Sequence, residues 1–150
     1  MNWKPLALVA ALTSGCIVYE DGHGHNDGPD VIIDTNVNYS PDIYWADSGC
    51  YWDNYNYDDI WWFEADVDDG NGVFDVVAVY ADVYDAYSGV WADSFELYPT
   101  NDPYIWFSDW LGSSTYVDCN YGGYLVDIVA YDMVDAFDVY TLAPGTRNYY

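Results

Sequence analysis

Apolar and polar residues alternate with a period of two through most of the chain beyond Val31. In the run from Ile60 to Asp66, Trp61, Phe63 and Ala65 share one face, and Glu64 and Asp66 take the other. Ser94, Glu96 and Tyr98 alternate with Phe95 and Leu97, and between Tyr124 and Asp132 the residues Val126, Ile128 and Ala130 oppose Asp127. Successive side chains of a strand point to opposite faces, so this rhythm predicts half-buried strands. Val73 to Tyr84 is more continuously apolar and predicts a longer strand. Val117 and Cys119 oppose Tyr116 and Asp118, which predicts another strand with Cys119 inward. Shorter strands are predicted near Ile43 to Trp45, Tyr104 to Phe107 and Asp138 to Leu142. Helical periodicity is absent, and Gly, Asp, Asn and Pro separate the runs. Seven or eight short strands with frequent turns predict an all-β, antiparallel sandwich.

The order of these segments resembles bacterial immunoglobulin-like and cadherin-like surface domains. Asn38, Tyr39, Pro41 and Ile43 match the approach to the first strand. Phe63 to Val73 looks like their strand, acidic hairpin and return strand. The resemblance covers residues 34–142 and implies an Ig-like β-sandwich. The domain is accordingly expected to occupy 34–145, with a tail at 146–150.

The N-terminus has a different pattern. Lys4 precedes an apolar run, Leu6 to Leu12, and the small residues Thr13, Ser14 and Gly15 lead into Cys16. A charged start, a short apolar core and a small-residue cleavage site form a secretion signal. A run of about seven residues is too short to span a bilayer, which takes roughly 18 or more. With its cysteine, the segment resembles the lipobox of bacterial lipoproteins. That resemblance implies that 1–15 is a cleaved signal peptide and that Cys16 carries lipid; the alternative is an ordinary signal peptide with an incidental Cys16. Residues 16–33 follow as an acidic tether rich in Gly, Asp and Asn, spanning about 20–25 Å as a flexible coil. His23 and His25 lie in this tether without a third ligand, so no metal site is expected there. Ile17, where Asp would retain a lipoprotein at the inner membrane, implies delivery to the outer membrane, with its face left open.

Charge narrows the partners. The chain carries 26 acidic residues against two basic ones, a formal net charge of −24. Such a surface repels nucleic-acid phosphates and anionic headgroups. High charge favours disorder only where aromatic and β-branched residues are scarce, and here 21% of residues are aromatic, so a folded core is expected. Catalysis is not expected: both histidines sit in the tether, no lysine remains after processing, and Glu64 and Glu96 fall on outward faces. If Cys16 carries lipid, Cys50 and Cys119 are left as a pair, and an exported protein is where disulfides persist. Their bridge would close a loop of roughly 70 residues, worth about 4 kcal/mol in the chain-entropy model. Two buried free thiols are the alternative.

Two constellations invite ligands. The Asp66 to Gly72 loop clusters carboxylates, and calcium takes six to eight oxygens. By resemblance to cadherin-like domains, Asp66 and Asp68 would work with Asp34 and Asn36; an ordinary acidic turn explains the same residues. Calcium is the only cofactor that the sequence suggests. Trp52, Trp61, Trp62, Trp106 and Trp110 lie in two aromatic-rich stretches and could stack on sugar rings; the competing use of such rings is to fill the core. The expectation is a non-enzymatic, lipid-anchored cell-envelope protein with a structural, adhesive or interaction role. Its partners would be the membrane, through the anchor, and an envelope protein or glycan. A carbohydrate-binding module and a calcium-stabilised surface module are the alternatives.

Overall fold

The computed structural model describes residues 37–148. The signal segment 1–15, Cys16, the tether 16–33, Asp34 and Asn36 lie outside the described residues. Eight strands follow in chain order: β1 (Pro41–Asp53), β2 (Asp58–Asp69), β3 (Val76–Asp85), β4 (Trp91–Pro99), β5 (Ile105–Leu111), β6 (Tyr124–Asp132), β7 (Phe137–Leu142) and β8 (Gly145–Asn148). They hydrogen-bond in the order β7-β6-β3-β4-β5-β2-β1-β8. The pairs linking β1 through β7 are antiparallel. β8 runs parallel along β1, with Gly145 opposite Gly49 and Asn148 opposite Tyr51.

The all-β, antiparallel expectation holds, but the layers differ from two separate sheets. β4 pairs with β3 from Val79↔Leu97 to Tyr84↔Trp91, then with β5 through Tyr98↔Phe107 and Pro99↔Trp106. Because β4 belongs to both sides, the strands make one sheet curled on itself. β7 then packs beside β1, where the Ile43 backbone N–H donates to an Asp138 carboxylate oxygen at 3.0 Å. A side chain thus bridges the seam that a backbone ladder would close in a complete barrel. The sheet is barrel-like and nearly closed, which limits its exposed edges.

Alternation explains what fills it. Phe63, Ala65 and Val67 of β2, Val79, Ala81 and Val83 of β3, Leu97 of β4, and Val126, Ile128 and Ala130 of β6 are fully buried. The Phe63 and Phe95 rings stack at 4.8 Å between centroids. Glu96 and Asp109 point to solvent, while Glu64, Asp82 and Asp127 are half-buried on the outer face. An apolar interior with an acidic exterior is the reverse of a lipid-embedded barrel.

Several predicted elements change. The short first strand extends to 13 residues, and a register shift between Ile43 and Trp45 interrupts its alternation. Ser48, Gly49 and Cys50 are then buried in succession, a pattern that simple alternation does not show. Val73–Asp75 forms a 3-10 turn, so β3 begins only at Val76. Tyr116 to Cys119 is not a strand. The Asp118 carboxylate accepts the Asn120 N–H at 2.9 Å and its carbonyl accepts the Tyr121 N–H at 3.0 Å, which turns the chain. Val117 is nevertheless buried, as predicted. Cys119 is bonded to Cys50, with their Cα atoms 5.8 Å apart and a sequence separation of 69.

Candidate functional site

One end of the barrel gathers the last residues of β2 and β6, the 3-10 turn before β3, and the approach to β1. The inward stripe of β2 (Trp61, Phe63, Ala65, Val67) continues in phase to Asp69. The inward stripe of β6 (Val126, Ile128, Ala130) likewise continues to Asp132. Both stripes therefore end on a carboxylate instead of an apolar side chain. Asp69 is 4% exposed and Asp132 is 1% exposed.

Local turns hold these groups. One Asp69 oxygen accepts the Asn71 N–H at 2.7 Å, and the Asp69 carbonyl accepts the Gly72 N–H at 2.8 Å. Gly72 has φ 114, a conformation that glycine adopts without a Cβ penalty. The Gly72 carbonyl then accepts the Asp75 N–H at 2.8 Å, starting the turn that brings Asp75 back toward Asp69. Asp132 caps the β6–β7 turn: one oxygen accepts the N–H groups of Val134 at 2.9 Å and Ala136 at 2.7 Å. Its other oxygen accepts Asn38 Nδ2 at 2.6 Å. Asn71 also accepts the Tyr39 N–H at 2.7 Å and donates to the Val37 carbonyl at 2.9 Å. Residues 37–39 are thereby tied across both turns.

Asp69, Asp75 and Asp132 each place a carboxylate oxygen within 4.8 Å of the others. Burial pushes the Asp69 carboxyl above its ordinary value, and the charges of Asp75, Asp132 and Asp68 add to the rise against the Asn71 hydrogen bond. Asp132 moves the other way: the Asn38 hydrogen bond, with the Val134 and Ala136 amides, holds it below its ordinary value despite desolvation. The second Asp69 oxygen is buried and has no hydrogen-bond partner among the described residues. Beside this cluster lies a cleft of about 250 Å³ lined by Tyr39, Ser40, Asp42, Tyr44, Asp68 and Asp69.

The acids singled out for calcium occupy other places. Asp66 and Asp68 are on the half-buried outer face of β2, opposite in phase to Asp69. Asp68 spends one oxygen on the Asp69 N–H at 2.8 Å. The structure does not bring Asp66 into the inward cluster, and Asp34 and Asn36 lie outside the described residues. The alternation itself was the missed signal: counted in twos from Trp61, the inward acid is Asp69.

Tryptophan as a sugar platform needs correcting. Trp61 is 2% exposed and Trp106 is 6% exposed, so both are core residues without a free ring face. Their inward phase on β2 and β5 puts them there. Trp110 packs against the core with its ring 5.8 Å from that of Phe95. Trp62 is half-buried and covers Gly49, where an added Cβ would come within 3.1 Å of its indole nitrogen. Trp52 alone of the five is exposed, with its indole N–H donating to Asn54 at 3.2 Å. The β1–β2 turn next to it exposes Tyr55 and Tyr57.

At the opposite end, the Tyr121 hydroxyl donates to Asp85. That bond, followed by those from Ser88, holds the Asp85 carboxyl down at about 2, and the same contact pushes Tyr121 up to about 12. A depressed carboxylate stabilises the fold above its ordinary value of 3.8, and that contribution is lost as pH falls toward about 2. Tyr121→Phe is expected to raise the Asp85 midpoint toward 3.8 in a carboxyl-detected NMR titration, moving acid unfolding to higher pH. An unmoved midpoint would remove Tyr121 as the cause.

No known protein family, curated protein or solved structure matches the chain.

Proposed function

We propose that this chain is an exported, lipid-anchored envelope protein whose Ig-like domain has a structural or interaction role and no catalytic one. The observation that carries the reading is the N-terminal sequence: Lys4, the apolar run Leu6 to Leu12, the small residues 13–15, and Cys16. The Cys50–Cys119 bridge supports it independently, because disulfides persist in oxidising compartments outside the cytosol. Acylation at Cys16, with a second chain beyond the marginal hold of one, gives stable attachment. Ile17 after the anchor favours the outer membrane. Residues 16–33 supply the tether.

Strand order supports the Ig-like kinship. β1, β2 and β5 adjoin on one side, β3, β6 and β7 on the other, and the chain crosses between them from β2 to β3 and from β5 to β6. β4 joins the two sides at the turn of the sheet. The acidic exterior disfavours nucleic acid and anionic lipid, leaving an envelope protein or an uncharged glycan as partner. The glycan reading rests on Trp52, Tyr55 and Tyr57, three exposed aromatics at the β1–β2 hairpin.

Cys16→Ser is the test. In the native host, the wild-type protein is expected in the membrane fraction and the variant in the soluble exported fraction. Equal membrane association of the two would contradict the anchor.

A further inference from the structure

We propose that Asp69, Asp75 and Asp132 form a calcium site that clamps one end of the barrel. The inference stands apart from the anchoring reading, since it concerns only the folded domain. Two different strands each end an otherwise apolar inward stripe on an aspartate, and the 3-10 turn adds a third carboxylate. Their oxygens lie within 4.8 Å of one another. Carboxylates this close repel strongly, and burial removes the water that would screen them. The whole chain has only Lys4 and Arg147 as basic residues, so side-chain cations are scarce as neutralising partners.

The second, independent observation is the Asp69 oxygen that faces no donor. Asp69 is 96% buried by its 4% exposure, and this oxygen is enclosed without a hydrogen-bond partner among the described residues. Buried polar atoms are nearly always paired, so a missing ligand is the natural reading of an orphan acceptor on a residue of this three-carboxylate group. The donor set is entirely hard oxygen, which suits calcium or magnesium over softer metals. Calcium is favoured because it binds oxygens at about 2.3–2.6 Å in flexible geometry, so that ligands across one ion stand about 5 Å apart. Magnesium demands a near-ideal octahedron with shorter bonds.

Asn38 reaches Asp132 and Asn71 reaches both Val37 and Tyr39. A calcium ion held by Asp69 and Asp132 would therefore stiffen the segment that leads into β1, along with the β2–β3 and β6–β7 turns. This site differs from one at Asp66 and Asp68, which face outward on β2.

The test uses purified full-length protein stripped with chelator. Calorimetric titration with calcium chloride is expected to show one site per chain. Melting temperature is expected to rise by about 10 °C at a hundredfold excess over Kd, and less in magnesium chloride at the same concentration. Asp69→Asn and Asp75→Asn should lose the calcium response. Asp69→Asn should melt no lower than wild type in chelator, because it relieves the repulsion, whereas a purely structural carboxylate would show a loss. Asp66→Asn should respond like wild type. Absence of calcium-specific heat, an equal rise in magnesium or in sodium chloride of matched ionic strength, or a retained response in Asp69→Asn would each overturn the proposal.

Discussion

Opening the Cys50–Cys119 bridge is expected to destabilise the domain by about 4 kcal/mol, a fall in melting temperature of about 15 °C. The bridge joins β1 to the loop before β6 across 69 positions, so its loss frees a long loop in the unfolded chain. The folded side adds a second cost. Cys50 is buried in the core, and the loop carrying Cys119 contributes the buried Val117 without any strand pairing of its own. With the bridge gone, that loop is held by Val117 and by hydrogen bonds such as the Tyr116 N–H to Asp93 at 2.8 Å and the Asp118 N–H to the Tyr124 hydroxyl at 3.1 Å. Melting of the oxidised and reduced protein under otherwise equal conditions checks the figure, and Cys50→Ala with Cys119→Ala separates the bridge from reductant effects. Identical melting before and after reduction would mean that the two thiols are not joined.

Phe63→Ala is expected to cost about 3–5 kcal/mol. Phe63 is fully buried on β2, stacks on Phe95 at 4.8 Å and lies beside Trp61 at 6.3 Å. Phe95 comes from β4 and Trp61 from β2 itself, both fixed in the hydrogen-bonded sheet, so the cavity left by the ring cannot close by moving one side chain. Domains of this kind hold about 5–15 kcal/mol in total, so the variant should be close to unfolding. Denaturant unfolding of the variant is the check, with Tyr55→Ala as the exposed control expected to change stability by less than about 0.5 kcal/mol. A loss at Phe63 no larger than at Tyr55 would show that the barrel interior is not packed around this ring.

Where the fold was readable from the sequence, a clean two-residue rhythm made it so. β2, β4 and β6 carry clear stripes whose inward residues are buried, with Ile60 and Val129 buried as well on the opposite phase. β1 shows only a short stripe in the sequence, because the shift at Ile43/Trp45 and the buried Ser48-Gly49-Cys50 run interrupt the rhythm. Curling into one nearly closed sheet was not legible, since it depends on two residue pairs, Tyr98↔Phe107 and Pro99↔Trp106, between strands whose periodicity is the same in either architecture. Around Val117, alternation marked burial but could not distinguish a paired strand from a turn tied down by Asp118.

The candidate sites follow the same logic. Residue type suggested Trp61 and Trp106 as stacking surfaces, although Trp61 shared a face with Phe63 and Ala65. Phase, not residue type, decides whether such a ring is offered to a ligand. Phase also singles out Asp69 and Asp132, whereas Asp75 depends on a 3-10 turn that no periodicity announces. The calcium proposal and the anchor proposal are separable: one concerns three carboxylates in the folded domain, the other a thiol far ahead of it.

The most direct measurement is the intact mass of the protein isolated from its native host. Residues 1–15 missing and acyl groups carried on Cys16 are the predicted result. A polypeptide that keeps Met1, or a processed one whose Cys16 thiol is unmodified, would contradict the lipid-anchored account.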